Sequence, residues 1–353
     1  MKPHYLDSGI GRMVQIEGKD YLYFSGTSYL GIAQDADFLD NLANNLFEFG
    51  AHHGQSRIGN VRLLVFDDFE ESFSLSAGAD AAAVFSSGYL AGIAAWKSLI
   101  PHSDEVWIAP DAHPAIVPDH LKPATQLNFT QWKIQCLQQS EQLSPRRILI
   151  IGNALDPLAC EIHDYDWVRE IAKKHEVSQL VDDSHAFGTY GNSIYGSYQK
   201  WANPDVNLVV SGSLGKGLGL PAGIILGSEA QIGRIKGTPL FGGASPGSPA
   251  FLRTFLEMED RYLEKKRWLS EASGFFAHET AKIPQVKGSR NFPAFIYTED
   301  EWVKEFEKAG IITSSFSYPT PDSPNINRII ISGFHEMEDL MYLNDIIHNL
   351  ARS

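Results

Sequence analysis

The chain has 353 residues, 43% of them hydrophobic and 20% charged, with a formal net charge of −14. That composition is ordinary for a globular protein, the length exceeds one comfortable core, and the acidity argues against nucleic acid or an anionic membrane as the main partner. No apolar run approaches the roughly 18 residues of a bilayer span, MKPHYLDSGIGRM has no apolar signal core, and Cys136 and Cys160 lack a CxxC spacing. A soluble cytoplasmic protein is expected.

Residues 14–30, VQIEGKDYLYFSGTSYL, read as two short strands around a Gly-Lys turn. From Asp35 to about Phe49 the apolar positions Phe38, Leu39, Leu42, Leu46 and Phe47 recur at helical spacing, and a second helix is predicted over Leu63 to Ser76. Apolar strand candidates then alternate with helices. AAAVFSS (81–87) precedes the helical LAGIAAWKSLI, and EVWIAP (105–110) follows. RILIIG (147–152) comes before a helix predicted around Asp164 to His175; QLVDDS (179–184), NLVVSGS (207–213) and AGIILGS (222–228) complete the series. Short buried strands separated by helices indicate an α/β fold with a mostly parallel sheet covered on both faces. After about residue 240 the texture changes: a long helix is predicted over Pro249 to Phe276, then strands near NFPAFIYT and NRIIIS and a closing helix from Glu336. The expected organisation is an N-terminal segment (1–45) packing on both domains, a large domain (46–240) and a smaller α+β C-terminal domain (241–353).

In open parallel sheets functional groups gather at the carboxyl ends of the strands. One such end carries SGSLGKGLGLPAG, where Lys216 is a lone charge among glycines and aliphatics. A phosphate-binding P-loop fails there, because Val210 replaces the leading glycine and Gly217 the hydroxyl residue. Ser213 and Lys216 match the S-x-x-K of serine acylases, but the supporting S-D-N and K-T-G motifs do not occur and the glycines oppose the required helix. What remains is a loop lysine forming a Schiff base with a carbonyl cofactor. At other ends stand Ser86-Ser87-Gly88-Tyr89, a glycine-containing helix start suited to a phosphate or simply a capped turn, and Asp182-Asp183-Ser184-His185. In a strand, Asp182 and Asp183 point to opposite faces, so either their roles differ or both simply cap the turn that follows. His113 lies just beyond another strand.

Together, GRMVQIEGKDYLYFSGTSYLGI, GQSRIGN with Phe69-Glu70, SSGY, VDDSHAFGTYG, SGSLGKGLGLPAG and SPNINRIIISGFHEMED, in that order, resemble the α-oxoamine synthase family of pyridoxal-phosphate enzymes, of the aspartate-aminotransferase fold type. The resemblance covers nearly the whole chain. It implies a seven-stranded-type, mostly parallel sheet and a decarboxylative condensation of an amino acid with an acyl thioester. It further implies that Lys216 anchors pyridoxal 5'-phosphate and shuttles protons at the substrate α-carbon. Asp182 would pair with the ring nitrogen, His185 would bond the phenolic oxygen, and His113 would stack on the ring. Ser87, Gly88, Tyr89 and Ser213 would hold the phosphate, joined by Ser245 from a neighbouring subunit of a homodimer. Small-molecule substrates are the implied partners.

The chain departs from the family pattern at several places. Thr27 and Ser28 stand where the family has an Asn, and Ile150, Ala154 and Asp156 occupy the place of its Glu and Ser. Ser317, before a Pro-rich turn, stands where the family has the arginine that clamps the substrate carboxylate. Arg57 or Arg328 is then the candidate replacement, with transamination as the alternative reaction. His52 and His53 are candidates near the acyl entrance. His335-Glu336 lacks the H-E-x-x-H spacing of a metallohydrolase, and a cofactor-free binding protein would not need Lys216 and Asp182 together.

Overall fold

The computed structural model describes residues 4–317 and 322–352. The chain opens with a hairpin, β1 (Met13–Ile16) and β2 (Lys19–Phe24), turned by Glu17 and Gly18 at positive φ. A helix, Ala36–Phe49, follows; the Asp35 side chain accepts from the Phe38 N–H at 3.3 Å and caps it, while Phe38 and Leu42 are buried. Asp35 also takes Arg261 Nη2 at 2.7 Å and Lys265 Nζ at 3.0 Å, which ties this helix start to the helix Glu259–Thr280.

The large sheet contains β3 (Ala81–Phe85), β4 (Glu105–Ile108) and β5 (Arg147–Asn153); a two-residue ladder of β6 (Leu155–Asp156) and β7 (Glu161–Ile162) stands apart; β8 (Glu176–Asp182), β9 (Val206–Ser213) and β10 (Gly223–Gly227) complete it. Its order is β3-β10-β9-β8-β5-β4. Pairs β4/β5, β5/β8 and β8/β9 are parallel, and β10 runs antiparallel to both its neighbours. Ile148 to Ile151 are all buried, because helices cover both faces and leave no solvent side to alternate with. The register sets Asn153 beside Asp182 and Asp182 beside Ser211, a row of polar residues along the carboxyl edge.

The second sheet adds β11 (Val286–Ser289), β12 (Phe292–Tyr297), β13 (Ile311–Ser317) and β14 (Asn325–Ile330) in the order β1-β2-β13-β14-β12-β11. Parallel pairing of β2 with β13 makes the N-terminal hairpin the edge of the C-terminal sheet.

Several expectations are corrected. Among the described residues the large sheet has six strands, not seven. The predicted helix over Pro249 to Phe276 is two helices, Pro249–Glu257 and Glu259–Thr280, because Met258 leaves the helical region (φ −121°, ψ 22°) and redirects the chain. The helix predicted around Asp164 to His175 shrinks to Val168–Ala172. A helix absent from the sequence reading, Phe129–Gln142, starts at an Asn128/Gln131 capping box; it buries Trp132, Cys136 and Ser140, too few apolar residues to show a stripe.

Candidate active site

Lys216 sits on the loop between β9 and β10. Gly217 beside it lies so close to the Phe187 carbonyl that a Cβ would collide with backbone, so glycine here is what lets the loop pack down. The Lys216 Nζ is 3.0 Å from His185 Nε2, and His185 Nδ1 is 2.8 Å from the Tyr29 hydroxyl. Asp182, the last residue of β8, accepts the Ser184 N–H on Oδ1 at 2.7 Å. Its Oδ2 has no hydrogen-bond partner among the described residues. Lys216, His185, Asp182 and His113 line one cavity of about 220 Å³, shared with Asn153, Asp156 and Arg328.

Burial dominates the protonation of these groups. It pulls the Lys216 amine below the usual lysine value; Asp182 opposes that and Arg328 assists it. His185 is held well below the ordinary histidine value by burial and then by Lys216, so its ring is neutral. His113 is lowered by burial, with Asp182 opposing and Lys216 assisting. An amine shifted toward its neutral form, beside a neutral imidazole, is equipped to attack a carbonyl and to carry protons.

The adjacent aspartates part as the strand geometry requires. Asp183 is fully buried on the opposite face and accepts both the Ser197 N–H (2.5 Å) and the Ser197 hydroxyl (2.6 Å). Asp183 therefore fastens the segment around Ser197, and Asp182 alone faces the cavity.

None of the residues expected at a phosphate lines this cavity. Ser87 caps the helix Gly88–Leu99, its Oγ accepting from the Leu90 N–H at 3.2 Å. Gly88 packs directly on the Ser213 backbone, where a Cβ would not fit. The Ser213 N–H in turn donates to Ser184 Oγ at 2.9 Å, and Ser184 does line the cavity. Tyr89 and Ser245 are exposed.

The two candidate arginines separate cleanly. Arg57 is taken: its Nη1 pairs with Glu70 at 2.9 Å, its Nη2 lies 3.6 Å from Asp67, and its guanidinium covers the Phe66 ring at 4.3 Å. Arg57 is not among the residues lining the cavity, so that candidate is corrected to a structural role. Arg328 lines it. Its Nη1 donates to the Pro157 carbonyl at 2.7 Å, its guanidinium lies 5.2 Å from the Phe316 ring centroid, and its buried Nε has no partner. Ser317 Oγ turns to Asn325 Oδ1 at 3.1 Å, and the Pro-rich turn that follows falls outside the described residues.

Thr27, Ser28, Ile150, Ala154, His52 and His53 are not among the residues lining the cavity. His52 instead accepts the Gly54 N–H at 2.8 Å and His53 packs edge-on to Phe66. His335 is buried against Phe24, and Glu336 caps the helix Met337–Leu350. Sequence reasoning missed Tyr29 and Asn153. Asn153 Oδ1 accepts the His113 N–H at 3.1 Å, and its Nδ2 donates to the Asp111 carbonyl at 2.6 Å, which fixes the His113 turn. Its signal was available: a polar residue at the carboxyl end of a buried strand.

A profile of the aminotransferase class I and II family matches residues 65–282. The 8-amino-7-oxononanoate synthase of Fervidobacterium nodosum is 24% identical, over 98% of this chain and 92% of that protein. The solved serine palmitoyltransferase of Sphingomonas wittichii superposes with a TM-score of 0.81 at 18% identity, covering 99% of this chain and 92% of its own. A solved structure of SPT with PLP gives the same TM-score, identity and coverages. With a match spanning more than half of its residues, and the lysine and aspartate brought to one cavity within it, this chain belongs to the aminotransferase class I and II family.

Proposed function

We propose that the protein is a pyridoxal-phosphate-dependent acyltransferase of the α-oxoamine synthase type, joining an amino acid to an acyl thioester with loss of carbon dioxide. The observation that carries the cofactor is the placement of Lys216 and Asp182 on one cavity, the acid keeping an unpartnered oxygen there. A carboxylate oxygen left open to the cavity can accept from a ring N–H, and a protonated pyridine is such a donor. Relatives named 8-amino-7-oxononanoate synthase and the fold of serine palmitoyltransferase support the acyl-transfer reading.

Pyridoxal phosphate, when bound, supplies an electron-withdrawing ring that stabilises negative charge at the substrate α-carbon. The chain's own residues do the rest. Lys216 holds the cofactor through its amine and moves the proton at the α-carbon. Asp182 keeps the ring nitrogen protonated. His185, neutral and fixed by Tyr29, presents Nε2 to the lysine. Ser87, Gly88, Tyr89 and Ser213 receive the phosphate at the helix start, with Ser245 reaching a second copy in a homodimer. Arg328, with a buried Nε wanting an acceptor, binds the substrate carboxylate in place of the arginine that Ser317 does not supply. No helix among the described residues is long and apolar enough to cross a membrane, and we place the enzyme in the cytoplasm.

Coenzyme A release from acyl thioesters, measured across a panel of amino acids, tests the reaction. Release with at least one amino acid is expected. No release across the panel, together with amino transfer to a keto acid, would make the protein an aminotransferase.

A further inference from the structure

A second cavity, of about 450 Å³, lies between the turn Thr189 to Asn192, the helix Glu259–Thr280 and the β11–β12 turn. Its walls carry two cations, Lys266 and Arg290, and no carboxylate. Lys266 is only 5% exposed, and the one partner of its Nζ among the described residues is the Thr189 carbonyl oxygen. Two turns along the same helix face Ser273 is 2% exposed, and its Oγ has no partner. Arg290, exposed at the mouth, makes no hydrogen bond or ion pair among the described residues.

A buried ammonium facing one neutral carbonyl is electrostatically incomplete. Burial draws Lys266 down to about 8, the direction expected where no anion stands beside an amine. A purely structural tie from Lys266 to Thr189 would not account for a second cation, Arg290, on the same cavity. In a protein of net charge −14, a cavity lined by two cations and no carboxylate favours an anion. We propose that this cavity binds a small oxyanion, the phosphate or carboxylate group of a metabolite, through Lys266 and Arg290. The site lies apart from the Lys216 cavity, with which it shares no lining residue, and it does not depend on the reaction assigned there.

Isothermal titration of inorganic phosphate, and in parallel of succinate, into the cofactor-loaded enzyme tests this, because the cofactor then fills its own phosphate site. One saturable site per chain is expected for at least one of the two anions, and the stronger binder tells phosphate from carboxylate. Arg290→Glu, at an exposed position where folding is not at stake, should weaken that binding at least tenfold, and Lys266→Met should remove it. No saturable binding of either anion, or binding that Arg290→Glu leaves unchanged, would overturn the proposal.

Discussion

The Lys216 amine lies 3.0 Å from His185 Nε2, while His185 Nδ1 lies 2.8 Å from the Tyr29 hydroxyl. A protonated Lys216 can only donate, so Nε2 must then accept and Nδ1 must carry the hydrogen, with Tyr29 as acceptor. Lys216 thereby fixes which nitrogen is basic, and Tyr29 holds the ring in that orientation. Tyr29→Phe should lower kcat about tenfold while cofactor content is kept, since one hydrogen bond that orients a catalytic group is lost. Because burial and Lys216 keep His185 neutral, the pH–rate profile should show no inflection from it near the ordinary value of about 6.5. An inflection there that disappears in His185→Gln would contradict this geometry.

Arg328 and Ser317 give opposite expectations. Removing a guanidinium that clamps a carboxylate forfeits charge-assisted bonds, so Arg328→Ala should cut kcat/KM for the amino substrate by roughly 10²- to 10³-fold. Ser317 faces Asn325, and Ser317→Ala should stay within about twofold. Steady-state kinetics with the amino acid varied decide it. Comparable losses in the two variants would show that the carboxylate is held elsewhere.

Neighbours on one strand, Asp182 and Asp183, should fail in different ways. Asp182→Asn keeps an acceptor for the Ser184 N–H and should fold normally, yet lose about 10³-fold in turnover because the amide cannot hold a ring proton. Asp183→Ala strands two buried Ser197 donors and should cost about 2–4 kcal/mol in urea unfolding. A stability loss in the first with none in the second would reverse the assignment.

These two aspartates also mark how far the sequence could be read. The strand-end rule and side-chain alternation separate Asp182 from Asp183 before any fold is known, and the lone Lys216 among glycines announces a loop with a task. Tyr29 is different, because it meets His185, 156 residues away, only through contact between distant segments. β2 and β13 join ends of the chain some 290 residues apart, and no local pattern encodes that contact. Nor does a five-residue apolar run state its direction, so the antiparallel β10 was illegible. Arg57 and Arg328 are equivalent as letters; only the Glu70 and Asp67 carboxylates beside one of them tell them apart.

At the Ala36–Phe49 helix start, burial alone would raise the Asp35 carboxyl, but hydrogen bonds from Arg261 and Lys265 outweigh it and hold it at about 2. A carboxyl depressed in the folded state stabilises it above the unfolded value, near 4, and that contribution is lost as pH falls through about 2. Asp35→Ala should therefore cost about 1–3 kcal/mol at pH 7, from the lost cap and ion pair, and clearly less near pH 2. Urea unfolding at the two pH values measures it; an equal cost at both would mean that the charge contributes nothing.

The most direct measurement is borohydride reduction of the purified protein followed by peptide mapping. A pyridoxyl group on Lys216 is expected, along with a visible absorption band that reduction bleaches and that Lys216→Ala lacks. A reduced adduct on another lysine, or a Lys216→Ala protein that still traps the cofactor covalently, would contradict the assignment of this cavity.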